Sequence, residues 1–187
     1  MARKRLNKKV AIIGFIVFMV LGVAAIGVIF HLSRDPQKFI EDANVAIEQQ
    51  DYENAIRCFN KARGMADDDE LKVQLLFDMA DVYIKMDEWK NVAGCWNEII
   101  KVDDENVKAR TRKLQYFYIM ADTGAGRIWQ DIISQSSEMI DIVEQKNIGQ
   151  ENIEKWLQPQ LVKEDDYKGP IKPFIYFVRG RANMEIA

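Results

Sequence analysis

Asp51-Tyr52-Glu53-Asn54-Ala55-Ile56-Arg57-Cys58-Phe59-Asn60 decides how this chain is read, because its pattern returns 37 residues later. Trp89 stands over Tyr52, Val92 over Ala55, Cys95 over Cys58, Trp96 over Phe59 and Asn97 over Asn60. Each copy opens on acidic residues and an aromatic, then places an apolar residue three positions on and a large ring four beyond that. Spacings of three and four gather apolar side chains on one helical face. Self-similarity at a period of 20–50 residues marks a stack of supersecondary units, each too small to bury its own core.

Working outward, each copy is preceded by a second apolar pattern. Phe39, Asp42, Ala43 and Ala46 lead into Ala55, Phe59 and Ala62; Leu76, Met79, Ala80 and Tyr83 lead into Val92, Trp96 and Ile99. The nine-residue step from Ala46 to Ala55 recurs from Tyr83 to Val92. Gln49-Gln50-Asp51 and Met86-Asp87-Glu88 make a tight turn inside each pair. Small residues fall where two helices approach closely, and large ones fill the wedge between them.

This pattern resembles the tetratricopeptide repeat, which reads Trp-x2-Leu-Gly-x2-Tyr on its first helix and Ala-x3-Phe with a further Ala on its second, followed by a proline. Asp42 departs from the leucine, Asp67 and Asp104 stand where proline is common, and extra residues around Asp67-Asp68-Asp69 lengthen the period from 34. The match covers Asp35 to about Asn106. The resemblance implies an all-α fold, an α-solenoid of antiparallel helical hairpins, with two hairpins in residues 33–106. A divergent third hairpin follows in 107–147: Ala109, Leu114, Phe117 and Ala121 share one face, Asp122 to Gly126 turns, and Ile128, Ile132, Met139, Ile140 and Val143 point inward. Lys113 falls where a leucine is expected. Residues 148–172 read as a short helix around Trp156-Leu157 and a charged linker. Residues 173–187 resemble a further first helix, with Gly180 at the small position and its hairpin partner missing, as in the N-terminal fragment of a longer repeat protein.

The N-terminus has a different character. Val10 to Leu32 runs 23 residues without an Asp, Glu, Lys or Arg, about 35 Å as a helix against a hydrocarbon core of about 30 Å. It is expected to be a transmembrane helix behind a basic tail of residues 1–9. A cleaved signal peptide would have a shorter apolar stretch and a small-residue cleavage site, which Phe30-His31-Leu32 does not supply. Arg3, Lys4, Arg5, Lys8 and Lys9 precede the run, so the positive-inside rule keeps the N-terminus cytoplasmic and places the repeats in a periplasmic or extracytoplasmic compartment. Those five are among 26 basic residues, and all 29 acidic residues follow the run. The remainder is therefore eight charges negative, which disfavours nucleic acid as a partner.

No catalytic constellation assembles. His31 is the single histidine, which leaves no histidine triad or multi-histidine metal site in the repeats. Cys58 and Cys95 occupy equivalent positions on adjacent hairpins, where helix spacing of about 8–10 Å exceeds the Cα separation of about 7 Å that a disulfide allows. Two small buried thiols are the reading, with a disulfide the alternative. Asp67 to Glu70 and Asp103 to Glu105 lack the EF-hand spacing and suit the helix N-termini that follow them. Thr123 to Gly126 lacks the strand and the lysine of a phosphate loop. The aromatics Tyr116, Phe117, Tyr118 and Trp129 are explained by packing between hairpins. The chain is expected to be no enzyme, with no cofactor and no metal.

Function then falls to surfaces. Stacked hairpins present their first helices on an inner face that binds extended peptides or partner helices. The resemblance implies contact residues at positions 2, 5, 6 and 9 of each first helix: Ile40 and Asn44, then Gln74, Phe77, Asp78 and Asp81, then Lys108 and Arg112. One branch of the family clamps a C-terminal carboxylate there; Asn44, Lys108 and Arg112 fit that scheme, whereas Ile40 and Asp78 do not. The expectation is a membrane-tethered scaffold that binds a protein or peptide partner, with the lipid bilayer contacted through residues 10–32. Two alternatives stay open: the repeat arm of a longer enzyme or transport component, and a self-assembling envelope protein in which the final helix makes a homo-oligomer.

Overall fold

The computed structural model describes residues 15–23, 35–124, 128–150, 156–157 and 170–187. Every element bounded in them is an α-helix. Residues 15–23 form α1, and then follow α2 (Pro36–Glu48), α3 (Tyr52–Met65), α4 (Asp69–Lys85), α5 (Trp89–Val102), α6 (Val107–Asp122), α7 (Ile128–Gln145) and α8 (Ile171–Glu185).

The expected membrane span is corrected. Among the described residues no helix is long and apolar enough to cross a membrane. Residues 10–14 and 24–32 of the expected span lie outside the described residues. The single-pass topology, the cytoplasmic N-terminus, the extracytoplasmic repeats and the bilayer contact all rested on that span and fall with it.

Local chemistry starts and stops the helices. Asp35 caps α2 by accepting from the Gln37 N–H at 2.9 Å, with Pro36 beside it in the first turn. Asp51 caps α3 at the Asn54 N–H, 3.2 Å, and Asp68 caps α4 at the Leu71 N–H, 2.6 Å. Asn106 does the same for α6 at the Ala109 N–H, 3.0 Å. Each satisfies one of the donors a helix start leaves open. Asp69 and Glu70 lie in the first turn of α4, where negative charge opposes the positive end of the helix dipole.

Each helix packs on the next in chain order, from α2 on α3 through to α7 on α8. Gln50 and Asp87, both at φ 59°, turn the chain between α2 and α3 and between α4 and α5. The hydrogen bonds closing the two turns correspond: the Asp51 N–H to the Ala46 carbonyl at 2.8 Å, and the Glu88 N–H to the Tyr83 carbonyl at 2.9 Å. Ala43, Ala55, Ala62, Ala80 and Ala109 are fully buried, which lets backbones approach. Phe59 and Trp96 fill the space between hairpins and are also shielded from water.

The apolar interior has two parts. One runs from α2 through α5 and ends on Ala109; the other joins α6, α7 and α8 through Leu114, Ile132, Met139, Ile175 and Val178. Near the expected leucine position of α6, Leu114 takes the core and Lys113 lays its ammonium 5.4 Å from the Phe117 ring centre. The helix expected around Trp156-Leu157 is seen as a turn at those two residues, and its flanks lie outside the described residues. Most of the expected linker lies outside them too. Helix α8 begins at Ile171, slightly before the expected position, and its pairing with α7 gives it a neighbour. Cys58 and Cys95 are free and buried; burial pushes the Cys95 thiol up to about 11.

Candidate functional site

Helices α2, α4 and α6 are the first helices of three successive hairpins, and the eight residues singled out in the sequence all lie on them. The structure brings them onto one continuous surface. Ile40 and Asn44 of α2 face Asp78 and Asp81 of α4 across a cavity of about 330 Å³, lined also by Ile47, Phe59, Val82 and Lys85. Gln74 sits one turn before Asp78 and donates from Nε2 to its Oδ1 at 2.8 Å. From α6, the Lys108 ammonium lies 4.3 Å above the centre of the Phe77 ring, and the Arg112 guanidinium carbon lies 5.4 Å from the same centre. Arg112 Nη1 is 3.9 Å from Asp81 Oδ1, which closes the chain of contacts from α6 back to α4.

The spacing explains the convergence. Phe77 and Asp81 are four apart on α4, and Lys108 and Arg112 are four apart on α6, so each pair forms a vertical step on one helix face. Phe77 is itself buried, with 7% of its surface exposed, and presents its ring face to both cations. Two cations over one ring repel each other while the π-face attracts both. Burial, and then Arg112 nearby, lowers the Lys108 ammonium below its ordinary value. Burial raises the Asp78 carboxyl, with Asp81 adding to the effect and the Gln74 donor and Lys108 opposing it.

Arg112 is the unusual member. Only 8% of the residue is exposed, yet its Nε and Nη1 are buried without a hydrogen-bond acceptor among the described residues. Its contact with Asp81 stands at the outer edge of ion-pair range and is too long for a hydrogen bond. A buried donor left unmade costs about 1–3 kcal/mol, and more when charged. Two positions away, Arg110 is equally buried and hydrogen-bonded at the same two nitrogens: Nε donates to the Asp104 carbonyl and Nη1 to Glu138 Oε2, both at 2.6 Å. The contrast places unused anion-binding capacity on the α4–α6 face and a structural tie on the opposite side of α6.

Sequence reasoning missed four cavity residues. Ile47 lies seven positions after Ile40, while Val82 and Lys85 lie one turn beyond Asp78 and Asp81, so extending the same face by a turn would have found them. Phe59 comes from α3 and was assigned to the core, which it also serves. Arg110 left no motif; its partners depend on where α7 docks.

Over 82 residues the chain is 31% identical to protein unc-45 homolog B of Xenopus laevis and 28% identical to the protein of that name from Xenopus tropicalis. The aligned stretch is 44% of this chain, and the chain spans 9% of the length of those relatives. No family model matches the chain. The partial likeness and the all-helical hairpins fit a helical-repeat protein.

Proposed function

We propose that this chain is a non-enzymatic helical-repeat scaffold of tetratricopeptide type, which binds a segment of a protein partner along the α2–α4–α6 face. The observation that carries the reading is Arg112, nine-tenths buried on that face with two N–H groups lacking acceptors. A domain with no use for that charge gains by replacing it with an apolar side chain, since a buried unpaired ion is costly. A carboxylate arriving with a partner supplies the missing acceptors in bidentate geometry, and Lys108 adds a second donor beside it. Phe77, buried beneath Lys108 and Arg112, holds both cations in place on that face. The partial likeness to the unc-45 proteins supports a role in protein interaction without naming a partner.

The test is affinity selection of a phage-displayed library of random 12-residue peptides on the full chain, with the double variant Lys108→Met/Arg112→Met as the counter-selector. Selected peptides are expected to be enriched in acidic residues and to lose binding to the double variant. Absence of any enriched peptide, or equal binding to the two forms, overturns the reading.

A further inference from the structure

The groove is bipolar: Lys108 and Arg112 make one end positive, and Asp78 and Asp81 at the mouth of the α2–α4 cavity make the other negative. A purely acidic segment would satisfy Arg112 and meet two carboxylates immediately beside it. Among the described residues Asp78 makes no ion pair, and Asp81 makes a single long one. Asp78 holds the Gln74 amide at 2.8 Å, and the one ion contact of Asp81 is the 3.9 Å approach of Arg112. Lys85 also lines the cavity but is exposed, at the far end of α4. Ile40, Ile47, Phe59 and Val82 line the same cavity, together with Asn44. The space of about 330 Å³ is many times the share of one water, about 30 Å³.

That combination, apolar side chains beside two carboxylates, complements the aliphatic stem and cationic head of a lysine or arginine. We infer that the α2–α4 cavity receives a basic side chain of the same segment whose acidic group meets Lys108 and Arg112. The inference rests on the reading given under Proposed function and fixes its partner's charge pattern. Arg112, nine-tenths buried, holds Nη1 3.9 Å from Asp81 Oδ1, so the two subsites adjoin through these residues. Ligand charges of both signs would engage both residues of that loose pair together. Adjacent helices stand about 8–10 Å apart, a distance that an extended segment covers in about three residues at about 3.3 Å each. The partner's basic and acidic residues are therefore expected about three positions apart.

The experiment takes the best-enriched peptides from the library selection, synthesises them with a fluorescent label and replaces each lysine or arginine in turn by norleucine. Binding to the full chain and to Asp78→Asn/Asp81→Asn is followed by anisotropy. One basic residue, about three places from an acidic one, is expected to lose at least fivefold in affinity when replaced, and to lose nothing on the Asp78→Asn/Asp81→Asn protein. Enriched peptides that lack basic residues, or that bind equally well with norleucine throughout, overturn the inference and leave the scaffold reading standing. Failure to enrich any peptide, or enrichment indifferent to Lys108→Met/Arg112→Met, removes both.

Discussion

Arg110 and Arg112 lie two residues apart on α6 and are equally buried, but among the described residues the Nε and Nη1 of Arg110 are hydrogen-bonded and those of Arg112 are not. The first ties the α5–α6 loop and α7 to α6; the second holds unpaired donors toward the α4 face. Their replacement should therefore have opposite consequences. Arg110→Met removes two hydrogen bonds made by a charged group and is expected to lower unfolding stability by about 2–3 kcal/mol. Arg112→Met keeps the apolar stem and removes an uncompensated charge, so stability should hold or rise by up to about 2 kcal/mol. Urea unfolding followed by circular dichroism separates the two. A loss at Arg112 as large as that at Arg110 would show Arg112 to be a structural residue.

Gln50 has φ 59° in the turn between α2 and α3, a conformation that glycine adopts without penalty and other residues do not. Its neighbour Asp51 supplies both the cap of α3 and the hydrogen bond back to Ala46, so Gln50 contributes backbone conformation more than contact. Gln50→Gly is expected to stabilise by about 0.5–1 kcal/mol. At Asp87, the corresponding position, the side chain accepts from Trp89 Nε1 at 2.7 Å, so Asp87→Gly should gain less. A thermal melt of both variants orders them; a stability loss at Gln50 would mean that the turn does not relax as described.

How much of this could be read from sequence follows from the distance over which each feature is determined. The small–large alternation of Ala43, Ala55, Phe59 and Trp96 is local and recurrent, so hairpins were legible there. The eight residues came from the first-helix positions that the resemblance implies, and contacts within α2, α4 and α6 join them, while their binding of a partner is the proposal made above. Arg110 with Glu138 was not, because their meeting depends on a docking between helices that no motif encodes. The Val10–Leu32 expectation rested on hydropathy and length, which describe a solvent preference and not a helix boundary. Among the described residues no helix is long and apolar enough to cross a membrane.

Ala80 and Gly94 test the packing logic within one hairpin. Ala80 is fully buried on α4 where it meets its neighbours, whereas a Cβ added at Gly94 of α5 meets nothing within 4 Å. Ala80→Leu should overpack the interface and cost about 1–3 kcal/mol. Gly94→Ala should gain close to the helix-propensity difference, about 0.8–1 kcal/mol. The midpoints of urea unfolding check both, and a neutral Ala80→Leu would show that the helices of this hairpin have slack between them.

Asp78 carries a pH signature whose sign is fixed by its environment. Burial, with Asp81 nearby, raises its carboxyl above the ordinary 3.8 and outweighs the Gln74 donor and Lys108. The folded chain therefore holds this proton more tightly than the unfolded chain does. Stability contributed by the protonated group is present below the unfolded value and is lost as pH rises through the raised folded value. Asp78→Asn removes the titration, so the variant should gain on the wild type as pH climbs through the ordinary carboxyl value and then the raised one, and hold a constant advantage above. Urea midpoints of both proteins across that range measure the difference directly. A basic peptide residue seated at Asp78 would reverse the balance, because it favours the carboxylate. With such a peptide in excess the wild type should recover at pH 7 what Asp78→Asn had gained, and it should lose the peptide as pH falls through the raised value. If the free wild type instead gains on Asp78→Asn as pH rises, the carboxylate is already held by its neighbours, and the cavity has no unmet charge to offer.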